Sequence, residues 1–479
     1  MSSEGAGEEL SEAAMDVLHS PAIMPLVLQR LGGLPERHRT IPLVCRSWLE
    51  LVHSPHLLRD ISISLDCNRP EALPSFCAWL ARRAAGHVQR LELELRAQGI
   101  TPALKGEADA RMLFAALQAC AAGGALRELR LRADSQLTVS PDALGLLCAC
   151  LERLSLQAHS RSHESASTAI YAFGLEELTA LRELELVGSA VELHRSHLPP
   201  GLTQLHLQGF RDLTSSMRHS LPRQLEALSQ LRALHLVGIY ANTPDCYRPL
   251  LSLPVIETLA LTKCAHLPAC LPQLSTLRAL CLERAPVSDD RQAAAELGTT
   301  LTGLTQLTRL AIRGMELGGC LPAALSELGQ LRSLHLVRDG NEIAKWNVPQ
   351  LPRSGPYLDS LEQLVLEPHV AEHNLPVLSK ASKLRSLTLC GQLCSGLAHL
   401  TVAAWAAGQP CLHQLAIFEW PVPERTRQRR MDTTWPQLQE RLERQQLPVS
   451  LAVIYSVATY DDMCRAQPLL SLADLPPPS

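Results

Sequence analysis

One short stretch, SRSHESAS (residues 160–167), places serine, histidine and glutamate side chains close together in the chain. These residue types serve nucleophilic hydrolysis, in which histidine takes a proton from serine and a carboxylate orients the histidine. The stretch is polar throughout, so we interpret it as a solvated loop rather than a fixed constellation. The sequence also lacks the glycine-rich phosphate loops GxxxxGK and GxGxxG and the nucleophile motif GxSxG. We therefore expect a protein that is not an enzyme.

Histidines recur at one position of a repeated pattern. His206, His235 and His335 each lie at the centre of a Leu-His-Leu triplet. One interpretation is that histidine is simply tolerated on a half-exposed strand, and the other is a recognition stripe that responds to pH. The three triplets are not in adjacent units of the pattern, so we expect neither a metal site nor a cofactor.

Charge and cysteine content limit the compartment and the partners. The 479 residues include 46% hydrophobic and 19% charged residues, with a net charge of -4, which gives no global attraction to nucleic acid or anionic membrane. Fifteen scattered cysteines without CxxC spacing are typical of buried thiols in a reducing compartment. The first twenty residues are acidic and lack the cationic and apolar regions typical of a signal peptide, and no apolar run approaches the roughly 20 residues needed to span a bilayer. We expect a cytoplasmic or nuclear protein without a nucleic-acid or membrane partner.

An LxxLxL pattern occurs thirteen times between Val88 and Ile417, from VQRLEL to LHQLAI, with a mean spacing of about 26 residues from Leu126 onward. The alternating LxL end predicts a short strand with one buried face, and the first leucine buries the turn that leads into it. One unit cannot bury its apolar face alone, so the units must stack, with strand beside parallel strand.

The pattern resembles the leucine-rich-repeat family. The resemblance implies an α/β solenoid with a curved parallel sheet and an irregular helical or turn-like convex side. Its variable strand residues form the concave surface, where we expect a protein target to bind. The expected target-binding residues are Arg130, Glu185, His206, His235 and His335.

Residues 21–60 lack the repeat. Val44, Trp48, Leu51 and Val52 have helical spacing, and a helical unit of about 40 residues is too small to be stable by itself. It must pack on the first repeat as a cap, or on another protein.

The stretch LP…LVCRSWLELVHSPHLLRD resembles an F-box, although Leu58 stands where a second tryptophan is typical and MPL replaces the opening Leu-Pro. The resemblance implies three short helices that bind the Skp-type adaptor of a cullin ubiquitin ligase. The implied adaptor-binding residues are Pro25, Leu26, Leu34, Pro35, Val44, Cys45, Trp48 and Leu51.

The predicted organisation follows the chain. It comprises an acidic tail (1–20), the F-box-like unit (21–60), a linker and N-terminal cap (61–87), the repeats (88–423), a capping helix and strand (424–460) and a disordered tail (461–479). The predicted function is substrate recognition in a Skp–cullin–F-box ubiquitin ligase, with an unknown protein target. The alternative is a leucine-rich-repeat scaffold, or a signalling or cytoskeletal adaptor, without a ligase role.

Overall fold

The fold comes from a computed structural model of the chain. Two compact units divide the chain, residues 1–220 and residues 221–479. The structure describes residues 58–84, 86–96, 107–122, 125–134, 137–139, 150–158, 169–172, 174–188, 190–192, 197–208, 224–238, 244–264, 268–284, 297–298, 300–314, 321–337, 350–391, 401–402, 404–406, 408–419 and 450–454. The eight predicted adaptor-binding residues and the SRSHESAS stretch lie outside these ranges.

The first unit contains nine described strands in two parallel sheets. The main sheet has the order β1-β2-β3-β5-β7-β9, and a small sheet has the order β4-β6-β8. The strands are β1 (Asp60–Asp66), β2 (Arg90–Arg96), β3 (Glu128–Ala133), β4 (Leu137–Val139), β5 (Arg153–Ala158), β6 (Ala169–Ala172), β7 (Glu183–Val187), β8 (Ala190–Glu192) and β9 (Gln204–Gln208). The segment 61–87, predicted as linker and cap, thus contains most of the first strand of the main sheet.

The second unit contains nine described strands, each paired in parallel with the next along the chain. They are β10 (Ala233–Val237), β11 (Thr258–Cys264), β12 (Ala279–Arg284), β13 (Arg309–Arg313), β14 (Ser333–Val337), β15 (Gln363–Leu366), β16 (Ser386–Gly391), β17 (Gln414–Glu419) and β18 (Ser450–Ile454). Apart from β18, each carries one of the predicted LxL segments, so the parallel arrangement expected from the repeat is confirmed.

The repeat leucines align across the strands and form the core of each unit. Leu91 pairs with Leu129 and Leu129 with Leu154, so equivalent leucines lie beside one another. All three are at most 1% exposed, and the leucine that opens each unit, such as Leu126 or Leu151, is fully buried. Because strand side chains alternate between faces, the residues between these leucines point to the opposite face.

A repeated backbone contact fixes the step from one unit to the next. The carbonyl oxygen of Arg127 accepts hydrogen bonds from the backbone N–H groups of Glu152 and Arg153, and the carbonyl of Arg232 accepts them from Glu257 and Thr258. These bonds satisfy the backbone at the start of each strand, where the sheet ladder begins. They hold successive strands in register.

Helices and helical turns connect the strands. The helices are α1 (Ala72–Trp79), α2 (Glu107–Ala122), α3 (Leu321–Glu327), α4 (Tyr357–Ser360) and α5 (Pro368–Leu378). A π-helical turn spans Leu80–Ala84, and 3-10 turns span Leu175–Glu177, Pro244–Ser252 and Leu271–Gln273. In α2, Leu113, Leu117, Cys120 and Ala121 are buried at helical spacing, so this helix has one apolar face.

Two buried polar side chains anchor the connection between β14 and β16. The Tyr357 hydroxyl donates to the Pro352 carbonyl at 2.7 Å. The Asn374 side chain in α5 accepts the Leu351 backbone N–H at 2.8 Å and donates to the Val370 carbonyl at 2.8 Å. Both side chains are buried, so their polar atoms need these partners. These contacts hold the described stretch that precedes Leu361.

Candidate functional site

The outward face of the first unit's main sheet carries rows of opposite charge. Along one row, Arg90 on β2 pairs in register with Glu128 on β3, followed by Arg153 on β5 and Glu183 on β7. In two parallel rows, a glutamate on β2 pairs with an arginine on β3, as Glu92 does with Arg130, and the residues that follow on β5 and β7 are mostly uncharged. We call the outward residues of these four strands the Arg–Glu face: Arg90, Glu92, Glu94, Arg96, Glu128, Arg130, Arg132, Arg153, Ser155, Gln157, Glu183, Glu185 and Val187.

Glu128 is the centre of an ion-pair network on this face. Its Oε1 atom lies 2.7 Å from Nε of Arg130 and 3.3 Å from Nε of Arg90, and its Oε2 atom lies 4.0 Å from NH1 of Arg153. Nε of Arg153 also lies 3.1 Å from Glu183. One carboxylate thus contacts three guanidinium groups from three adjacent strands. Burial raises the pKa of Glu183, an effect that Arg153 opposes.

A second cluster converges on Glu185. The Ser155 hydroxyl donates to its Oε2 atom at 2.6 Å and the Gln157 amide donates to the same atom at 3.1 Å. Nδ1 of His206 lies 3.2 Å from Oε1. Burial alone would raise the pKa of Glu185, but hydrogen bonds from His206, Ser155 and Gln157 hold that pKa at about 2. The carboxylate is therefore charged throughout the physiological range.

The Glu185 cluster differs from a hydrolytic triad. In a triad the histidine contacts the serine that it deprotonates. Here Ser155 and His206 both contact the same carboxylate, at 2.6 and 3.2 Å. The serine donates its proton toward Glu185, so the arrangement orients polar groups on a surface rather than preparing a nucleophile.

The outward face of the second unit is different. Its central row consists mainly of small or apolar residues, and several of them are almost fully buried. Ala311 is 3% exposed, and Val365, Thr388 and Ala416 are fully buried. Polar contacts on this face include His235 with Thr262 at 3.2 Å and Arg313 with Glu283 at 3.2 Å.

His335 lies in this central row but is covered. Only 3% of the residue is exposed, and its Nε2 atom lies 3.0 Å from the Ser333 hydroxyl. Burial, together with the nearby positive charge of Arg309, lowers the pKa of His335 to about 3. The Leu-His-Leu spacing correctly predicts that the His335 side chain points to the sheet face opposite the leucines. The ring is nevertheless buried on that face. We therefore leave His335 out of the candidate binding face.

The structure brings together only some of the predicted target-binding residues. Glu185 and His206 are in direct contact, and Arg130 belongs to the neighbouring Glu128 network. His235 belongs to the second unit. Sequence reasoning did not select Arg90, Glu128, Arg153 and Gln157, since it considered only the central residue of each LxL triplet. Arg90, Glu128 and Arg153 each stand directly before an LxL triplet, and the alternation of their charges from strand to strand could have identified them.

The arginines that follow the first leucine form a separate edge row. Arg127 contacts Glu152 at 2.8 Å, Arg232 contacts Glu257 at 3.2 Å and Arg332 contacts Glu362 at 4.0 Å. Their side chains are 47–68% exposed, so these pairs contribute little to stability. The guanidinium groups of these three arginines therefore lie largely in water.

Within the described ranges, no group of three or more His, Cys, Asp or Glu residues is arranged to hold a metal ion. No helix in the same ranges has both the length and the apolar character needed to cross a membrane.

Comparison with known proteins gives low-identity matches to solved structures. No family model matches the chain, and no curated protein sequence does. The leucine-rich-repeat protein LIC12759 of Leptospira interrogans is 17% identical, with a TM-score of 0.35, over 84% of this chain and 97% of that chain. A structure of a TLR13–ssRNA13 complex is 14% identical, with a TM-score of 0.37, over 78% of this chain and 56% of that chain.

This chain has a leucine-rich-repeat fold. That conclusion rests on its own parallel strands, which carry the LxxLxL units in register, and on the burial of their aligned leucines. The residues between the leucines are charged and partly exposed on the Arg–Glu face, whereas many of those in the second unit are buried, so the Arg–Glu face is the candidate binding surface.

Proposed function

We propose that the chain is a protein-binding repeat scaffold that engages its partner through the Arg–Glu face. The observation that carries the proposal is the concentration of exposed, mutually oriented charges on four adjacent strands. Ion pairs hold these side chains in defined positions, which reduces the entropy lost when a partner binds. Charged groups in fixed positions favour specificity, because a partner with a mismatched pattern leaves charges unpaired.

A finer proposal concerns the role of the scaffold. We propose that it is the substrate-recognition subunit of a Skp–cullin–F-box ubiquitin ligase. The support is the residue pattern around Val44 and Trp48, followed by the repeat array. The adaptor would bind residues 21–60, the Arg–Glu face would hold the target, and other subunits would carry the catalysis. The proposal places the protein in the cytoplasm or nucleus, with no nucleic-acid or membrane partner.

A scaffold without a ligase role is the alternative. In that case Val44, Trp48 and Leu51 would pack against the first repeat and would serve only as a cap. The two proposals differ in one property, which is whether an adaptor protein needs these side chains.

Co-expression of the full chain with a Skp-type adaptor tests the ligase role. We expect the adaptor to co-purify with the wild-type chain and to be lost with the Val44→Ala/Trp48→Ala double variant. A matched control, Arg127→Gln, changes an exposed side chain away from this stretch and should retain the adaptor. If the adaptor fails to co-purify with the wild-type chain, or binds the double variant normally, the ligase role is wrong.

A further inference from the structure

Charge on the Arg–Glu face is separated by depth. The face contains five arginines and five glutamates, so its formal charges balance. The side chains of Arg90, Arg130 and Arg153 are 44%, 36% and 54% exposed, whereas Glu128 beneath them is 12% exposed. Two further arginines are also more exposed than the glutamates they contact. The side chain of Arg132 is 42% exposed and that of Glu92 24%, and the values for Arg96 and Glu94 are 52% and 31%. Glu183 and Glu185 are 33% and 34% exposed, about as much as Arg130, so it is around Glu128 that an approaching molecule first meets guanidinium groups.

The cluster around Glu128 can accept an additional anion. Arg90 and Arg130 contact Glu128 through Nε, at 3.3 and 2.7 Å, and each guanidinium group carries four further N–H donors. A guanidinium group has five N–H donors in a planar fork and binds a carboxylate through two of them. With Arg153 added, three guanidinium groups face two carboxylates, Glu128 and Glu183, which leaves a net positive charge.

From these observations we infer that Arg90, Arg130 and Arg153 bind an acidic segment of a protein partner, with carboxylates spaced to meet individual arginines. This inference rests on the proposed protein-binding function and names the chemistry of the partner. Arg90 and Arg153 lie at the same register position two strands apart, which corresponds to about 10 Å. A polypeptide in the polyproline II conformation has three residues per turn and rises about 3.1 Å per residue, so a Glu-x-x-Glu spacing places both carboxylates on one side, about 9 Å apart.

The interleaved glutamates favour a polypeptide over a nucleic acid. A phosphate backbone presents a negative charge at every nucleotide and could not avoid Glu92, Glu183 and Glu185 on the same face. A polypeptide can place neutral residues opposite these glutamates and carboxylates opposite the arginines.

Binding of a fluorescent (Glu-Gly-Ser)4 peptide to the full chain, measured by anisotropy, tests this inference. We expect saturable binding that weakens as salt is raised, because exposed charges are screened. The Arg130→Gln/Arg153→Gln variant should bind about tenfold more weakly or worse, since it lacks two of the three guanidinium groups. Arg127→Gln and Arg332→Gln, which change exposed arginines of the edge row, are the matched controls and should bind as the wild type does. Circular dichroism melting verifies that each variant is folded.

Several results would overturn the inference. These are no saturable binding by the wild-type chain, undiminished binding by the double variant, equal binding of the neutral peptide (Gln-Gly-Ser)4, or tighter binding of a dT12 oligonucleotide. If the peptide fails to bind while the Skp-type adaptor still co-purifies, the acidic-partner inference fails and the ligase role stands. If the adaptor is absent while the peptide binds, the ligase role fails, and the protein-binding scaffold and its acidic partner stand.

Discussion

Glu185 illustrates how one residue gains its properties from three strands. Its neighbours Ser155 and Gln157 lie on β5, and His206 lies on β9. The LxxLxL pattern predicts that these side chains share a face, because they occupy equivalent positions in successive units. It does not predict that all three contact the same carboxylate, because that depends on rotamers chosen by packing. Sequence therefore identifies the face, and the structure identifies the cluster.

Replacing Ser155 with alanine tests this cluster. The variant removes a 2.6 Å hydrogen bond to the ionised carboxylate, so the pKa of Glu185 should rise from about 2 toward its ordinary value. Carboxyl carbon shifts of 13C-labelled glutamate, followed by NMR against pH, measure this change. Ser62→Ala, at an exposed position of the same face, should leave the Glu185 titration unchanged. An unaltered titration in Ser155→Ala would contradict the proposed network.

His335 provides a second test at the residue scale. Its folded-state pKa of about 3 is below the ordinary value of 6.5, so the unfolded chain binds a proton more readily. The neutral, buried His335 ring therefore makes its full contribution to the free energy of unfolding above pH 6.5. That contribution is lost as the pH falls toward 3. Between pH 7 and pH 5 it should reduce the free energy of unfolding by about 2 kcal/mol.

Denaturant unfolding at pH 7 and pH 5 measures the His335 contribution. The His335→Gln variant should lose about 2 kcal/mol less stability than the wild type between these two pH values. His413→Gln, at an exposed position, is the matched control and should follow the wild type. If His335→Gln and the wild type show the same pH dependence, the ring is not buried in its neutral form.

At the element scale, the turns between strands decide how closely units stack. A Cβ atom added at Gly303 would lie 2.6 Å from the Pro272 carbonyl oxygen and 2.8 Å from its Cα atom. Both belong to the 3-10 turn of the preceding unit, so glycine is needed here for close approach rather than for an unusual backbone angle. The repeat pattern predicts a turn near Gly303. The presence of a glycine there does not predict that this turn packs against the backbone of Pro272.

Gly303→Ala should destabilise the second unit by about 1–3 kcal/mol, because backbone atoms must move to admit the methyl group. Thermal unfolding followed by circular dichroism measures the loss. Gly329→Ala is a matched control in a comparable turn, where the added Cβ would lie 3.4 Å from a Pro356 side-chain atom. We expect a smaller effect there. Equal stability of Gly303→Ala and the wild type would show that the two turns are not in close contact.

At the scale of the whole molecule, the two units share one repeat but differ in their outward faces. The first unit's main sheet presents charged rows, and the second unit presents small residues that are largely buried. Sequence predicts both arrays, because leucine spacing alone determines the strands and the core. It predicts the accessible surface less well, as His335 shows, because burial of an outward residue depends on parts of the fold far away in sequence.

We propose that the Arg–Glu face of the first unit binds a protein target, and quantitative mass spectrometry of proteins purified with the full chain tests this claim. The Arg130→Glu/Glu185→Arg variant reverses two charges of that face and should lose the target proteins while it retains an adaptor. The Val44→Ala/Trp48→Ala variant should lose the adaptor and retain the targets. Recovery of the same proteins, in the same amounts, with the face variant and the wild-type chain would contradict the claim.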